Sequence, residues 1–351
     1  MKTKALSLKR RELLLAGAAA SGAALLAAPA IVRAQETKVK FILDWRMEGG
    51  AAPWLYTLEK GYFKQEGLDV TIDAGAGSAA AIQRLASGAY DISFGDFNSI
   101  IEFTSNNMAD PNARIQGVYV VYENSPATVF SLKKTGIAKP KDLEGKKLGA
   151  PVFDGGRKAF PVFAKANGID LSKISWTSMD PPLRETMLVR GEVDAITGFY
   201  FSGLISLLAR GAKEDEIISM IYADHGAQMY GSTIMSTPKY IKENPKVIAG
   251  FVKAFNKGLK ETLAKPQEAI GFVKKRDALI DEALELRRLK LILDNFVMTP
   301  GVKAAGLGNI DRARFDKFVA SVTDGLGLKT PVPHGPLFTA EFLPPAADRK
   351  V

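Results

Sequence analysis

Short apolar runs punctuate the first two thirds of the chain. Val39–Leu43, Leu68–Ile72, Ile92–Phe94, Ile115–Tyr122, Thr128–Leu132, Leu148–Val152, Ile174–Thr177, Ala195–Thr197 and Ile217–Tyr222 read as buried strands, with Gly231–Met235 as a further extended segment. Helical spacing of apolar positions separates several of them. Ala51–Lys60 is one such segment; a second is capped by Ser78 and carries Ile82 and Leu85 on one face; a third runs from about Phe97 to Ser105. Strand alternating with helix implies a mainly parallel sheet covered on both faces. From Pro238 onward the period changes. Val247, Phe251, Phe255, Leu259 and Leu263 form one stripe, and Leu286, Leu289, Leu293 and Phe296 another, both expected to face a core.

One cadence occurs twice. Leu85-Ala-Ser-Gly-Ala-Tyr-Asp-Ile-Ser-Phe-Gly95 returns about a hundred residues later as Leu188-Val-Arg-Gly-Glu-Val-Asp-Ala-Ile-Thr-Gly198. Each copy reads as a helix stopped by glycine, an acidic turn, an apolar strand and a closing glycine. Lys38–Asp44 and Lys147–Asp154 repeat roughly in step, each an apolar strand ending on aspartate with a Gly-Gly pair behind it. This period is too long for a solenoid. It predicts two similar α/β lobes, 35–125 with 232–351 and 126–231, joined by crossings near 124–130 and 229–236 that form a two-strand hinge. Ligands in such sheets sit beyond the carboxyl ends of the strands, so facing lobes make a cleft. The late helices, lacking strands of their own, are expected to wrap the first lobe.

The net charge of +9 shrinks once the N-terminus is set aside, because residues 1–34 carry six basic side chains against Glu12 alone. The remaining excess of about four gives no reason to invoke nucleic acid. Lys9-Arg10-Arg11, the Ala/Leu/Gly-rich stretch Leu13–Ala28 and Val32-Arg33-Ala34 read as an export signal over 1–34, cut after Ala34. Arg10-Arg11-Glu12-Leu13-Leu14 resembles the twin-arginine signature, with Lys9 where that motif has Ser or Thr. The chain has no cysteine, which excludes disulfides, thiolate metal sites, cysteine nucleophiles and a lipidated signal. A periplasmic monomer stabilised by packing alone is expected.

Phe41-Ile-Leu-Asp-Trp45 followed by Glu59–Val70 (EKGYFKQEGLDV) resembles the opening of the SsuA-like periplasmic binding proteins of ABC importers. Leu85–Gly95, Gly136-Ile137 with Asp142–Lys146, and the tail Leu337–Pro344 extend the likeness over nearly all of the chain after residue 34. The resemblance implies a type II periplasmic binding protein fold, delivery of a small-molecule ligand to an inner-membrane permease with its ATPase, and no cofactor. Ligands of this family span sulfonates, nitrate, taurine, aromatic acids and pyrimidine precursors of thiamine. It also includes a pyrimidine synthase that depends on a cysteine-rich motif, which this chain lacks.

Five segments are expected to meet at the cleft. Asp44-Trp45-Arg46 offers an aromatic face and a planar donor fork, and Trp54 either a second wall or lobe packing. The small residues through Gly77 and Ser78 leave backbone N–H groups open at a helix start, a seat for an anion; their likeness to a dinucleotide fingerprint is weak, since the acidic residue falls at the wrong end of the next strand. Asp96 and Asn98 bond ligand or cap the following helix. Asp154, Gly156, Arg157 and Phe160 form a second glycine-rich helix start; Phe199, Tyr200 and Tyr230 complete the aromatic wall. His225 and His334 share no metal-ligand spacing, and no metal site or catalytic set is expected. The reading is capture of a small organic anion by hinge closure, with Arg46 and Arg157 gripping the charge. The alternatives are a neutral thiamine-pyrimidine precursor in the same cleft, or an exported enzyme or sensor.

Overall fold

A computed structural model describes residues 36–110 and 114–351. The export signal expected over 1–34 lies outside the described residues. Their core is built on two five-stranded mixed sheets. The first has the order β2-β1-β3-β10-β4, from β1 (Thr37–Ile42), β2 (Leu68–Asp73), β3 (Ile92–Asp96), β4 (Gln116–Val120) and β10 (Ser232–Ser236). The second has the order β7-β6-β8-β5-β9, from β5 (Ala127–Leu132), β6 (Lys147–Gly149), β7 (Ser175–Thr177), β8 (Ala195–Phe199) and β9 (Ile217–Ile221). The repeated cadence folds as the turn and strand leading into β3 and β8, the middle strand of each sheet. Gly88 and Gly191, which stop the preceding helices, both adopt φ of +75°, a left-handed turn that glycine enters without steric cost.

In each sheet the strand in fourth place runs antiparallel to both neighbours. Both are exchanged: β5 follows β4 in sequence yet pairs in the second sheet, and β10 brings the chain back to the first. The two connecting segments hydrogen-bond each other, Val121 N–H to the Ser232 carbonyl at 2.9 Å, Gly231 N–H to the Tyr122 carbonyl at 3.1 Å and Ser125 N–H to the Met229 carbonyl at 2.9 Å. Two connecting segments that run side by side thus join the two sheets.

Both apolar stripes turn inward. Phe251, Phe255 and Leu259 of the helix Pro245–Ala264 are fully buried with Trp54 and Phe63 behind the first sheet, as are Leu289, Leu293 and Phe296. The late helices do more than wrap the first lobe, however. Helix Glu282–Ile292 lays Arg288 against the second-lobe helix Tyr200–Ala209, and helix Arg312–Gly325 joins an apolar cluster with Phe97 and Ile100 of one lobe and Phe160 and Phe163 of the other. Apolar faces two lobes wide need a partner from each, which a stripe alone does not reveal.

Candidate functional site

The carboxyl ends of β1, β3, β6 and β8 converge on a narrow cavity of about 40 Å³, open to solvent at its mouth. Loops from the first lobe supply Asp44, Trp45, Arg46, Glu48, Gly77 and Ser78, and the second lobe supplies Asp154, Gly155, Arg184, Phe199, Phe201 and Ser202. Arg288 enters from the helix Glu282–Ile292. The loop after β2 is clamped onto the loop after β1: Gly75 and Gly77 donate to the Trp45 and Asp44 carbonyls at 2.9 and 2.8 Å, and a side chain on Gly75 would overlap the Leu43 carbonyl.

Aromatic rings line the interior as a connected belt that spans both lobes. Trp54 meets Phe94 at 5.1 Å between ring centres, Phe94 meets Tyr122 at 5.4 Å, Tyr122 meets Phe201 at 5.7 Å and Phe201 meets Phe199 at 6.0 Å. Trp54 stacks on Phe255 at 3.8 Å in the core and also borders the cavity. Trp45 Nε1 is buried without a hydrogen-bond partner.

Charge is balanced within the walls. Arg46 donates from Nε to Glu48 Oε1 at 2.9 Å. Arg288 pairs with Glu48 Oε2 at 3.1 Å and Glu285 at 2.8 Å, and Ser202 donates to Glu48 Oε2 at 3.1 Å. Burial alone would raise the Glu48 carboxyl, but the Arg288 and Arg46 guanidinium groups outweigh it and hold Glu48 below the usual range. Arg184, fully buried, pairs with Asp154 at 3.1 Å and Glu185 at 2.6 Å while its guanidinium lies 4.7 Å from the centre of the Trp45 ring. Each cavity arginine is thus already matched to at least one carboxylate.

Asp44 is the exception. Burial pushes its carboxyl well above the usual range, the charges of Asp96 and Asp154 push further, and only a backbone N–H works the other way. Burial also raises Asp96 and Asp154, less completely, because Ser99 and Ser78 donate to the former and Arg184 faces the latter.

The two helix starts expected to seat an anion are filled from within the protein. Ser78 is the first residue of its helix and makes no cap; it hydrogen-bonds Asp96 instead. The adjacent Ala79 N–H reaches across the cleft to the Phe153 carbonyl at 3.3 Å. In the second lobe, Asp154 caps the helix Gly155–Ala166 by accepting from Arg157 N–H at 2.8 Å, and the Asp96 carboxylate presses against Gly155 from the other side. Asp96 itself caps the helix Phe97–Asn106 through Ser99 N–H at 2.8 Å.

Several expected residues lie elsewhere. Arg157 turns away from the cavity, donating to the Ala150 carbonyl and Ser178 Oγ at 3.0 Å each and lying over the Trp176 ring. At the third helical position it points outward, while Gly155 faces the seam. Gly156 packs on Gly198, Phe160 is buried in the core shared by the lobes, and Asn98 is buried beside Asp96 with its Oδ1 unpartnered. Tyr200 packs between Phe130 and Phe296, and Tyr230 is sunk among Phe97, Phe315 and Phe318. Among the cavity residues the sequence did not single out are Glu48, Phe94, Tyr122, Arg184, Ser202 and Arg288. Glu48 stands in the same loop as Arg46, and an acid two residues from an exposed-looking arginine was the available signal. Arg184 and Arg288 carry no motif. Among the described residues, no group of three or more His, Asp or Glu side chains is placed to hold a metal ion, and no helix is long and apolar enough to cross a membrane.

The family described as NMT1/THI5 like matches residues 50–269, which hold the cavity's aromatic belt and the exchanged strands. The chain belongs to this NMT1/THI5-like family. The formylaminopyrimidine-binding protein of Halalkalibacterium halodurans is 26% identical over 234 residues, covering 66% of this chain and 68% of that protein. The riboflavin-binding protein RibY of Chloroflexus aurantiacus is 25% identical over 306 residues, or 84% and 82% of the two chains. A 4-amino-5-hydroxymethyl-2-methylpyrimidine phosphate synthase of Legionella pneumophila is 21% identical over 90% of this chain and 96% of that one. Among solved structures, the alkanesulfonate-binding protein SsuA of Xanthomonas axonopodis, bound to MOPS, superposes with a TM-score of 0.64 at 13% identity over 87% of this chain and 99% of that one. The periplasmic binding protein fold expected from the two-lobed repeat is the fold of these neighbours.

Proposed function

We propose that this NMT1/THI5-like chain is a solute-binding protein that closes two lobes on a planar, nitrogen-rich heterocycle of the aminopyrimidine class. The observation that carries the reading is the charge arrangement of the cavity. Both helix starts that would cradle an anion are occupied by protein groups, the arginines are paired with carboxylates, and the charges that act on buried Asp44 are the like charges of Asp96 and Asp154. A sulfonate or carboxylate entering here meets arginines already paired with Glu48 and Asp154. An aminopyrimidine brings N–H donors for Asp44, ring nitrogens for the unpartnered Trp45 Nε1, and flat faces for the aromatic belt. This favours the heterocyclic alternative over the organic anion. Relatives named for formylaminopyrimidine and riboflavin point the same way.

The binding reading is preferred to the synthase reading because the chain has no cysteine, whereas the resemblance ties that enzyme to a cysteine-rich motif. The wider proposal keeps the lobes at 35–125 with 232–351 and 126–231, an export signal over 1–34, a periplasmic location, a monomeric state, and an inner-membrane ABC permease with its ATPase as partner. Ligand stabilises the closed form by touching both lobes, and the permease reads that form. Thermal-shift titration tests the ligand class, because a ligand at a hundred times its Kd stabilises the native state by about 2.7 kcal/mol. Formylaminopyrimidine should raise Tm and an alkanesulfonate should not; a shift with the sulfonate alone would refute the reading.

A further inference from the structure

The helix Arg312–Gly325 grips the connecting segments between the lobes through one side chain. Arg314 donates from Nη2 to Asn124 Oδ1 at 2.6 Å and to the Glu123 carbonyl at 3.2 Å, and its Nη1 pairs with Glu123 Oε1 at 3.2 Å. These are residues of the first crossing. The same guanidinium lies 4.3 Å from the centre of the Tyr230 ring, on the second crossing. Asp311, which caps this helix, donates its N–H to the Tyr230 hydroxyl at 3.0 Å, and Glu123 N–H bonds the Phe296 carbonyl at 3.0 Å. Both crossings are therefore tied to the C-terminal segment at the point where they run side by side.

That segment also touches both lobes. Phe315 meets Phe97 of the first lobe edge-on at 5.0 Å, while Gly325 packs on Val162 and Asp324 pairs with Lys165 at 2.5 Å on the second. When the lobes rotate apart the helix can follow one of them only, so contacts to at least one crossing must change. We propose that Arg314 is a hinge clamp, a positioning residue outside the cavity that holds the two crossings in the closed arrangement and so sets ligand affinity. A planar fork bonded edgewise to one segment and stacked facewise on the other fixes their relative orientation, which a lysine ammonium cannot do. Weakening the clamp lowers the closed fraction, and apparent affinity falls in proportion.

The test does not depend on the ligand assignment. Because the chain has no cysteine, Ala89→Cys and Glu192→Cys, exposed positions just after the helix stop in each repeat, accept spin labels cleanly. Inter-label distances are measured by pulsed electron resonance in the otherwise unaltered full chain and with Arg314→Met or Arg314→Lys, alongside the thermal midpoint of each. The clamp predicts a shift toward longer distances in Arg314→Met and a smaller shift in Arg314→Lys. With formylaminopyrimidine as probe it predicts an affinity loss on the order of tenfold in Arg314→Met, the scale of one charge-assisted contact. Distance distributions that superpose on those of the unaltered protein, with or without a fall in Tm, would overturn the clamp. Absence of binding by the unaltered protein would count against the aminopyrimidine reading and leave the distance comparison standing.

Discussion

Gly155 opens its helix in the second lobe with no left-handed φ, so nothing in the backbone there requires glycine. The reason for glycine is across the cleft. A Cβ at this position would sit well inside van der Waals contact with Asp96 Oδ2 of the first lobe, 3.3 Å from its Cγ and 3.3 Å from Phe199 Cε1. Asp96 has little room to retreat. Its Oδ1 accepts from Ser99 N–H at 2.8 Å and its Oδ2 from Ser99 Oγ at 3.1 Å, a cap worth about 1 kcal/mol. Overpacking of this kind costs about 1–3 kcal/mol in a closed seam. Within one lobe, by contrast, alanine is the better helix residue by up to roughly 1 kcal/mol. Gly155→Ala should therefore bind ligand roughly five- to a hundredfold more weakly while its Tm in the absence of ligand holds or rises. Calorimetric titration beside differential scanning calorimetry reads both quantities. If Tm falls by as much as affinity, the glycine serves the fold itself; if affinity is untouched, the lobes do not meet at Asp96 when ligand binds. Either result refutes the reasoning.

Asp44→Asn should abolish most of the preference for an N–H donor while leaving the protein at least as stable at neutral pH, checked by titration and chemical denaturation. A carboxyl whose pKa is raised on folding binds its proton more tightly in the native state, so its contribution to stability is full below the unfolded value and is lost as pH rises through the folded one. The Asn variant should accordingly show a shallower loss of stability from acid toward neutral pH than the unaltered protein; parallel profiles would contradict this. Arg157→Ala should change affinity less than about twofold, since the side chain bonds Ala150 and Ser178 outside the cavity, and a tenfold loss by titration would contradict the placement. Trp45→Ala should cost about 2 kcal/mol of binding, as truncation of an aromatic anchor does, measurable by the same titration.

The two-lobed plan could be read from the sequence because it rests on local signals. A glycine stop, an acidic turn and an apolar strand are short-range features, and their repetition located β3 and β8 and the aspartates that follow β1 and β6. The site was legible on those strand ends, where Asp44, Trp45, Arg46, Asp154 and Phe199 line the cavity, and at the first lobe's helix starts, which bring Trp54, Gly77 and Ser78 to it. Directions of side chains on helices were not. Gly155 and Arg157 are two residues apart, but the turn of the helix sends one to the seam and the other to Trp176. Arg184 and Arg288 reach the cavity from a Pro-Pro turn and from a helix more than two hundred residues after β1, where no local pattern signals the approach. The expectation of an anion came from counting arginines without their partners. Glu48, Glu185 and Glu285 stand within three residues of the arginines they pair with, and the fold adds Asp154 to Arg184 and Glu48 to Arg288, which reverses the sign of that argument.

The central claim is that a flat, donor-bearing heterocycle is held by Asp44 between rings of both lobes. A crystal structure of the protein grown with formylaminopyrimidine tests it most directly. The account predicts the ring between Trp45 and the belt rings Phe94, Phe199 and Phe201, with an amino N–H on an Asp44 carboxyl oxygen and the pairs Arg184–Asp154 and Arg288–Glu48 intact. An oriented ligand whose acceptor group breaks those pairs to take the arginines, leaving Asp44 unpartnered, would contradict it.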